Sequence, residues 1–174
     1  MKIESIMWLF PVFFMIHDFE EIVFAKTWLE KNSDYIKEKV PNIAFKIITR
    51  IKELTTASFA FAVAEEFIVL SIVTLCSVEF GWYSLFTATL IGYLLHVIMH
   101  FAQGIILKKY IPALITGLIS TVYGIYAISY LNTLNLLNWN YIAIATPFII
   151  LIIIFNLLLA HFLAKRLNIL LENK

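Results

Sequence analysis

Four glutamates and three histidines interrupt three stretches of sequence that are otherwise apolar enough to cross a membrane. Met15-Ile16-His17-Asp18-Phe19-Glu20-Glu21-Ile22-Val23 holds three of them, Ala64-Glu65-Glu66-Phe67 two, and His96-Val97-Ile98-Met99-His100 the last two. A charged side chain at the centre of a bilayer costs roughly 2.5–3.5 kcal/mol on insertion scales, so such residues need partners and point to function. No Lys or Arg lies near these groups in sequence. That leaves metal ions, protons or a water-filled cavity to balance them.

The residue types suit a metal. On a helix each residue turns by about 100°, which puts His17, Glu20 and Glu21 on one face and Asp18 off it. His96 and His100 stand at i and i+4, a recurrent chelating arrangement. His17 with Glu20 is a mirrored relative of the Glu-x-x-His pairs that hold di-iron sites in helical bundles. In the second stretch Thr55, Ser58, Ala62, Glu65, Val69 and Cys76 form a narrow stripe with Glu66 at its margin. Gly92, Tyr93, His96, His100 and Gln103 form another in the third. The candidate metal ligands are therefore His17, Glu20, Glu21, Glu65, His96 and His100, and the candidate catalytic carboxylates are Glu21 and Glu66. A lone intramembrane His is more often a packing residue, and a lone Glu can simply carry a proton. Seven such groups on three helices argue for a shared site.

The elements that position them follow from composition. Of 174 residues 61% are hydrophobic, with mean hydropathy +0.89, against about 45–50% apolar for a soluble domain. The expected fold is all-α: a polytopic integral membrane bundle of about five transmembrane helices, forming a single membrane domain over 1–174. The spans run over Ile3–Ala25, Thr55–Val78, Tyr83–Leu107, Pro112–Leu131 and Tyr141–Ala164. Helices are required because backbone polar groups in lipid must be satisfied within the segment. Pro112 suits the first turn of the fourth helix, whereas Pro11 and Pro147 bend the first and fifth. The first span reads as retained and not as a cleaved signal, because it contains the first polar motif.

Depth brings the groups together. Counting from the span ends at about 1.5 Å per residue, His17, Glu65 and His96 fall at one level, just to the basic side of the midplane. That level requires the first three helices to be antiparallel neighbours. The fourth and fifth, with Gly117, Ser120 and Gly124 for close approach, read as scaffold.

Charge sets orientation. Lys and Arg crowd residues 26–52, 108–109 and the C-terminus, and are absent from the second and fourth connections. By the positive-inside rule the N-terminus lies outside and the C-terminus in the cytoplasm, in the cell membrane. Trp8, Trp82 and Trp139 then mark the outer interface and Trp28 the inner. Residues 27–54 form a cytoplasmic loop with an amphipathic interfacial helix around Ile47, Ile48, Ile51 and Leu54. His161 beside Lys165 and Arg166 belongs to the inner interface. The single Cys76 excludes an internal disulfide and a thiolate cluster. A net charge of +1 gives no reason to expect nucleic acid as a partner. Membrane lipids and a lipid-like small molecule are the expected partners, and the oligomeric state stays open.

His17-Asp18-Phe19-Glu20-Glu21, placed in a first span and followed by the Glu65-Glu66 pair and His96-x-x-x-His100, resembles the motif of the HXXEE family of small integral membrane proteins. That family implies a site and no assigned reaction. The paired glutamates with histidines on neighbouring helices are also similar to the CAAX-type glutamate-dependent intramembrane proteases. Those carry an Arg four residues after the pair, where this chain has Ala25 or Leu70.

Three functions fit the inventory. In the first, a divalent metal, zinc foremost, is held by His17, His96 and His100 and activates water for a hydrolase acting on a prenyl or acyl lipid-like substrate. Surplus glutamates then serve as base or supporting partners. In the second, an iron or manganese pair bridged by Glu20 or Glu65 makes a membrane oxidase or hydroxylase. In the third, the carboxylates relay ions in a metal- or proton-coupled transporter.

Overall fold

The computed structural model describes residues 2–40, 45 and 55–172. Among them are five helices: α1 (Ile3–Lys39), α2 (Thr56–Phe80), α3 (Tyr83–Leu107), α4 (Leu114–Thr133) and α5 (Trp139–Glu172). The bundle is all-α, as composition requires. Helices α2 to α5 are each long and apolar enough to cross a membrane. Glu4, Asp18, Glu20 and Glu21 keep α1 out of that group by composition, although its 37 residues are ample in length.

The helix ends follow local rules. Thr55 caps α2, its hydroxyl accepting from the Ser58 amide at 3.1 Å. Gly81 closes α2 in the left-handed conformation at φ 66, which glycine adopts without strain. Val40 ends α1 in extended backbone at φ −116, as the residue before Pro41 should. Pro11 and Pro147 lie inside α1 and α5, as expected.

Two boundaries differ from the sequence reading. Pro112 precedes α4 instead of opening it, because Ala113 turns left-handed at φ 72 and starts the helix at Leu114. And α1 does not stop at Ala25. Residues 27–39, expected in a loop, continue the helix. No Gly or Pro interrupts them, and they have a surface to pack on. Trp28, Leu29, Tyr35 and Ile36 meet Leu107, Ile111 and Leu114. Tyr35 donates to the Leu107 carbonyl at 2.7 Å, and Lys109 Nζ donates to Asn32 Oδ1 at 2.8 Å while lying 4.2 Å from the Tyr35 ring centroid. The remaining expected interfacial segment, with Ile47, Ile48, Ile51 and Leu54, lies outside the described residues, as does the His161 side chain.

The helices stand in a ring in the order α1, α2, α5, α3, α4 and back to α1. The first three helices are therefore not consecutive neighbours: α5 fits between α2 and α3, and α4 between α3 and α1. Helices α1 and α3 meet across the middle through side chains. Phe10 packs edge-on to Phe86 at 5.6 Å and tilts against Tyr93 at 5.5 Å. Phe13 stacks on Tyr123 of α4 at 4.5 Å, and Tyr123 donates to the Ile6 carbonyl at 2.9 Å. Outward faces are apolar: Ile144, Phe148, Leu151 and Phe155 of α5 are all exposed, as lipid contact demands.

Candidate metal centre

Below the Phe10 layer the facing surfaces of α1 and α3 turn from aromatic to imidazole. His17 is fully buried. Its ring centroid lies 5.6 Å from that of His96 and 5.2 Å from that of His100, and those two lie 4.6 Å apart. The i, i+4 spacing brings His96 Nε2 and His100 Nε2 to 3.0 Å. Glu21, one turn beyond His17, places Oε1 2.8 Å from His100 Nε2. His17, Glu21, His96 and His100 each offer a ligand atom within 4.8 Å of all the others, the one such set among the described residues. Tetrahedral zinc with bonds of about 2.0–2.1 Å holds its ligands roughly 3.3 Å apart. Contacts of 2.8 Å and 3.0 Å within the set, and its outer limit of 4.8 Å, bracket that spacing.

His17 is oriented from behind. Thr116, near the start of α4, donates its hydroxyl to Glu20 Oε2 at 2.7 Å and its amide to the same oxygen at 3.2 Å. The hydroxyl lies 3.4 Å from His17 Nδ1. A hydroxyl has one proton, so with that proton given to Glu20 it can only accept from Nδ1–H. The lone pair of His17 then sits on Nε2, which is buried and has no hydrogen-bond partner among the described residues. A buried nitrogen without a hydrogen-bond partner, on a ring packed against two further imidazoles, fits a cation ligand.

The α3–α4 connection supports this arrangement. Tyr110 donates to Glu20 Oε1. Its partial burial, then the hydrogen bond to Glu20 and the charge there, push this phenol up to about 12, so it is a neutral donor at ordinary pH. The left-handed Ala113 bends the chain so that Tyr110 and Thr116 converge on one carboxylate.

The six expected ligands thus divide. His17, Glu21, His96 and His100 come together. Glu20 faces α4 and holds Thr116. Glu65 faces α5, where its Oε2 accepts from Asn156 Nδ2 at 3.0 Å. Helices α4 and α5 therefore do more than brace the bundle, as the scaffold reading had it.

Glu66 and Asp18 look elsewhere, into a cavity of about 290 Å³ between α1, α2, α3 and α5. His96 and Glu21 also line it, so the cavity and the histidine set share an edge. Asp18, expected off the shared face, is 5% exposed. Asn156 and Thr116 were missed altogether. The first had a visible signal, an amide alone in the apolar run 148–160. The second had none, since a Thr beside Gly117 reads as a packing residue.

No curated protein and no solved structure matches the chain, so the likeness to CAAX-type proteases rests on the glutamate pairs and histidines alone. The family described as protein of unknown function with HXXEE motif matches residues 8–127, a segment that includes all four converging residues together with Glu20 and Thr116. That is more than half of the 174 residues, and the chain belongs to the HXXEE family.

Proposed function

We propose that the protein is a mononuclear metal-dependent hydrolase of the membrane interior, with zinc held by His17, His96 and His100 and with Glu21 as general base. Its substrate would be an ester or amide of a lipid-like molecule. The observation that carries this reading is the buried, unpartnered Nε2 of His17 facing His96, His100 and Glu21. Three imidazole nitrogens with an open fourth position suit zinc better than iron or manganese pairs, which favour carboxylate-rich ligation. The carboxylates that would bridge two metals, Glu20 and Glu65, are engaged by Thr116 and Asn156.

Bound zinc would supply a water of near-neutral pKa. The chain's residues account for the rest. Glu21 takes the proton as the water oxygen adds to the carbonyl carbon. The C–O or C–N bond then breaks, and the proton passes to the leaving oxygen or nitrogen. The apolar wall beside His96 holds the substrate's hydrocarbon part and keeps bulk water away.

The test is metal analysis of the protein as purified, followed by hydrolysis of nitrophenyl esters of medium-chain acids by the zinc-loaded protein. About one zinc per chain is expected. Glu21→Gln should keep that zinc, because the amide preserves shape, and lose turnover by about 100-fold or more, because it cannot take a proton. Two irons or manganese per chain would favour the oxidase reading instead. Absence of any tightly bound transition metal would favour transport. Unchanged turnover in Glu21→Gln would remove the base assignment.

A further inference from the structure

The histidine set uses one end of the cavity, and the remainder has its own chemistry. On α1 the lining residues run from Glu21 through Asp18 and Phe14 to Phe10, twelve residues or about 16 Å of helix. Beyond Asp18 the wall is mostly hydrocarbon, with Leu70 and Val73 from α2 and Ile149 and Ile153 from α5, and with Thr89 and Tyr93 from α3. A dry apolar cavity of about 150 Å³ suffices for benzene, so about 290 Å³ takes a larger apolar group. Val69 and Ile152 both line the cavity and are exposed, which gives a chain a way in from the lipid beside α2 and α5.

At the polar end two carboxylates lack a counter-charge. Asp18 is 5% exposed, lines the cavity, and has no hydrogen-bond partner among the described residues. Glu66 faces the same space from α2. No Lys or Arg lines the cavity. A buried carboxylate needs an opposite charge or a full set of donors, and here neither comes from the described residues. A ligand that brings both is a cation with N–H groups. Phosphate or carboxylate head groups would meet repulsion on every side.

We propose that the cavity binds a single-chain amphiphile carrying a cationic amino group, its tail lying along Phe14, Phe10 and Val73 and its amino group between Asp18 and Glu66. The proposal rests on the hydrolase reading only for the ligand's fate: an ester or amide carbonyl near the amino group would be the one presented to Glu21. Binding itself needs no metal and no turnover.

The test is titration calorimetry with chelator-treated full-length protein in nanodiscs of zwitterionic lipid, using dodecylamine, dodecanol and dodecanoate as probes of equal tail length. Dodecylamine should bind roughly tenfold or more tightly than dodecanol, with dodecanoate weakest, since the amine completes a buried charge pair. Asp18→Asn and Glu66→Gln should each erase the preference for the amine and leave dodecanol unchanged. Gly92→Phe should weaken all three probes, because even a β-carbon at Gly92 would lie 3.0 Å from Ile153 Cδ1 and 3.7 Å from Ile149 Cγ2, inside the cavity wall. Equal binding of amine and alcohol would overturn the proposal. So would an amine preference that survives both carboxamide variants, or failure of every probe to bind. No result here depends on zinc or hydrolysis, so failure of the enzymatic reading leaves this one standing, and the reverse.

Discussion

Gly117 of α4 lies against the imidazole of His17: a methyl group at Gly117 would come 3.5 Å from His17 Cε1 and 3.6 Å from Nδ1. The same methyl would press on Val97 Cγ1 at 3.0 Å, tighter than ordinary van der Waals contact. Val97 is fully buried and stiff at its branch point, so the strain passes to the histidine. We expect Gly117→Ala to cost about 1–3 kcal/mol of stability and also to weaken zinc binding. Gly124→Ala, whose methyl would strike the Leu94 side chain at 2.8 Å, should lower stability alone. Thermal unfolding of the metal-free proteins and zinc competition with a chromophoric chelator separate the two effects. Equal zinc affinity in both variants would refute the link between Gly117 and the site.

Thr116 connects Glu20 to His17 through one hydroxyl, and hydrogen bonds behind a metal-binding imidazole are worth about 10–100-fold in metal affinity. Thr116→Val keeps the shape and removes the hydroxyl, so zinc affinity should fall by that order. Thr116→Ser should restore it. Glu20→Gln should fall between them, because the amide oxygen still accepts one bond. If Thr116→Val binds zinc as the unaltered protein does, the nitrogen of His17 that faces the site is not set by this chain of bonds.

The split between Glu20 and Glu21 marks where sequence reasoning stopped. Helical periodicity placed both on the face of His17, and that is true of the backbone. It could not say that α4 would stand on one side of that face and α3 on the other, so that Glu20 meets Thr116 and Glu21 meets His100. The i, i+4 pair His96 and His100 was legible because both residues sit on one helix and need no knowledge of neighbours. Glu65 was misread for the converse reason. It was expected beside the histidines, but α5 stands between α2 and α3 and supplies Asn156. Five helices and their all-α packing were plain from apolar length. The extension of α1 to Lys39 was not, because its reason is tertiary: the surface made by Leu107, Ile111 and Lys109.

Removing candidate ligands one at a time should reproduce the division seen in the structure. His17→Ala, His96→Ala and His100→Ala each delete one nitrogen of the converging set, and each should cut bound zinc to a small fraction. Glu65→Ala should leave zinc content near that of the unaltered protein, since Glu65 bonds Asn156 outside the set. Elemental analysis after identical loading and desalting measures this. Loss of zinc in Glu65→Ala comparable to that in His100→Ala would mean that α2 contributes a ligand, and would reopen the dinuclear reading.

Charge alone carries the expected orientation across the bilayer. With five spans, the basic residues of 26–52, 108–109 and the C-terminus fall on one side, and 12 of the 13 Lys and Arg then lie there, only Lys2 opposing. Short basic loops stay on the cytoplasmic side. We therefore expect a cysteine introduced at Asn138, in the α4–α5 connection, to react with an impermeant maleimide added to intact cells, and one at Lys174 to react only after the membrane is opened. The background Cys76 is partly buried in α2 and is replaced by Ala for the assay. Labelling of both positions from the same side would show that α5, the helix between them, does not cross the bilayer, and would overturn the five-span reading.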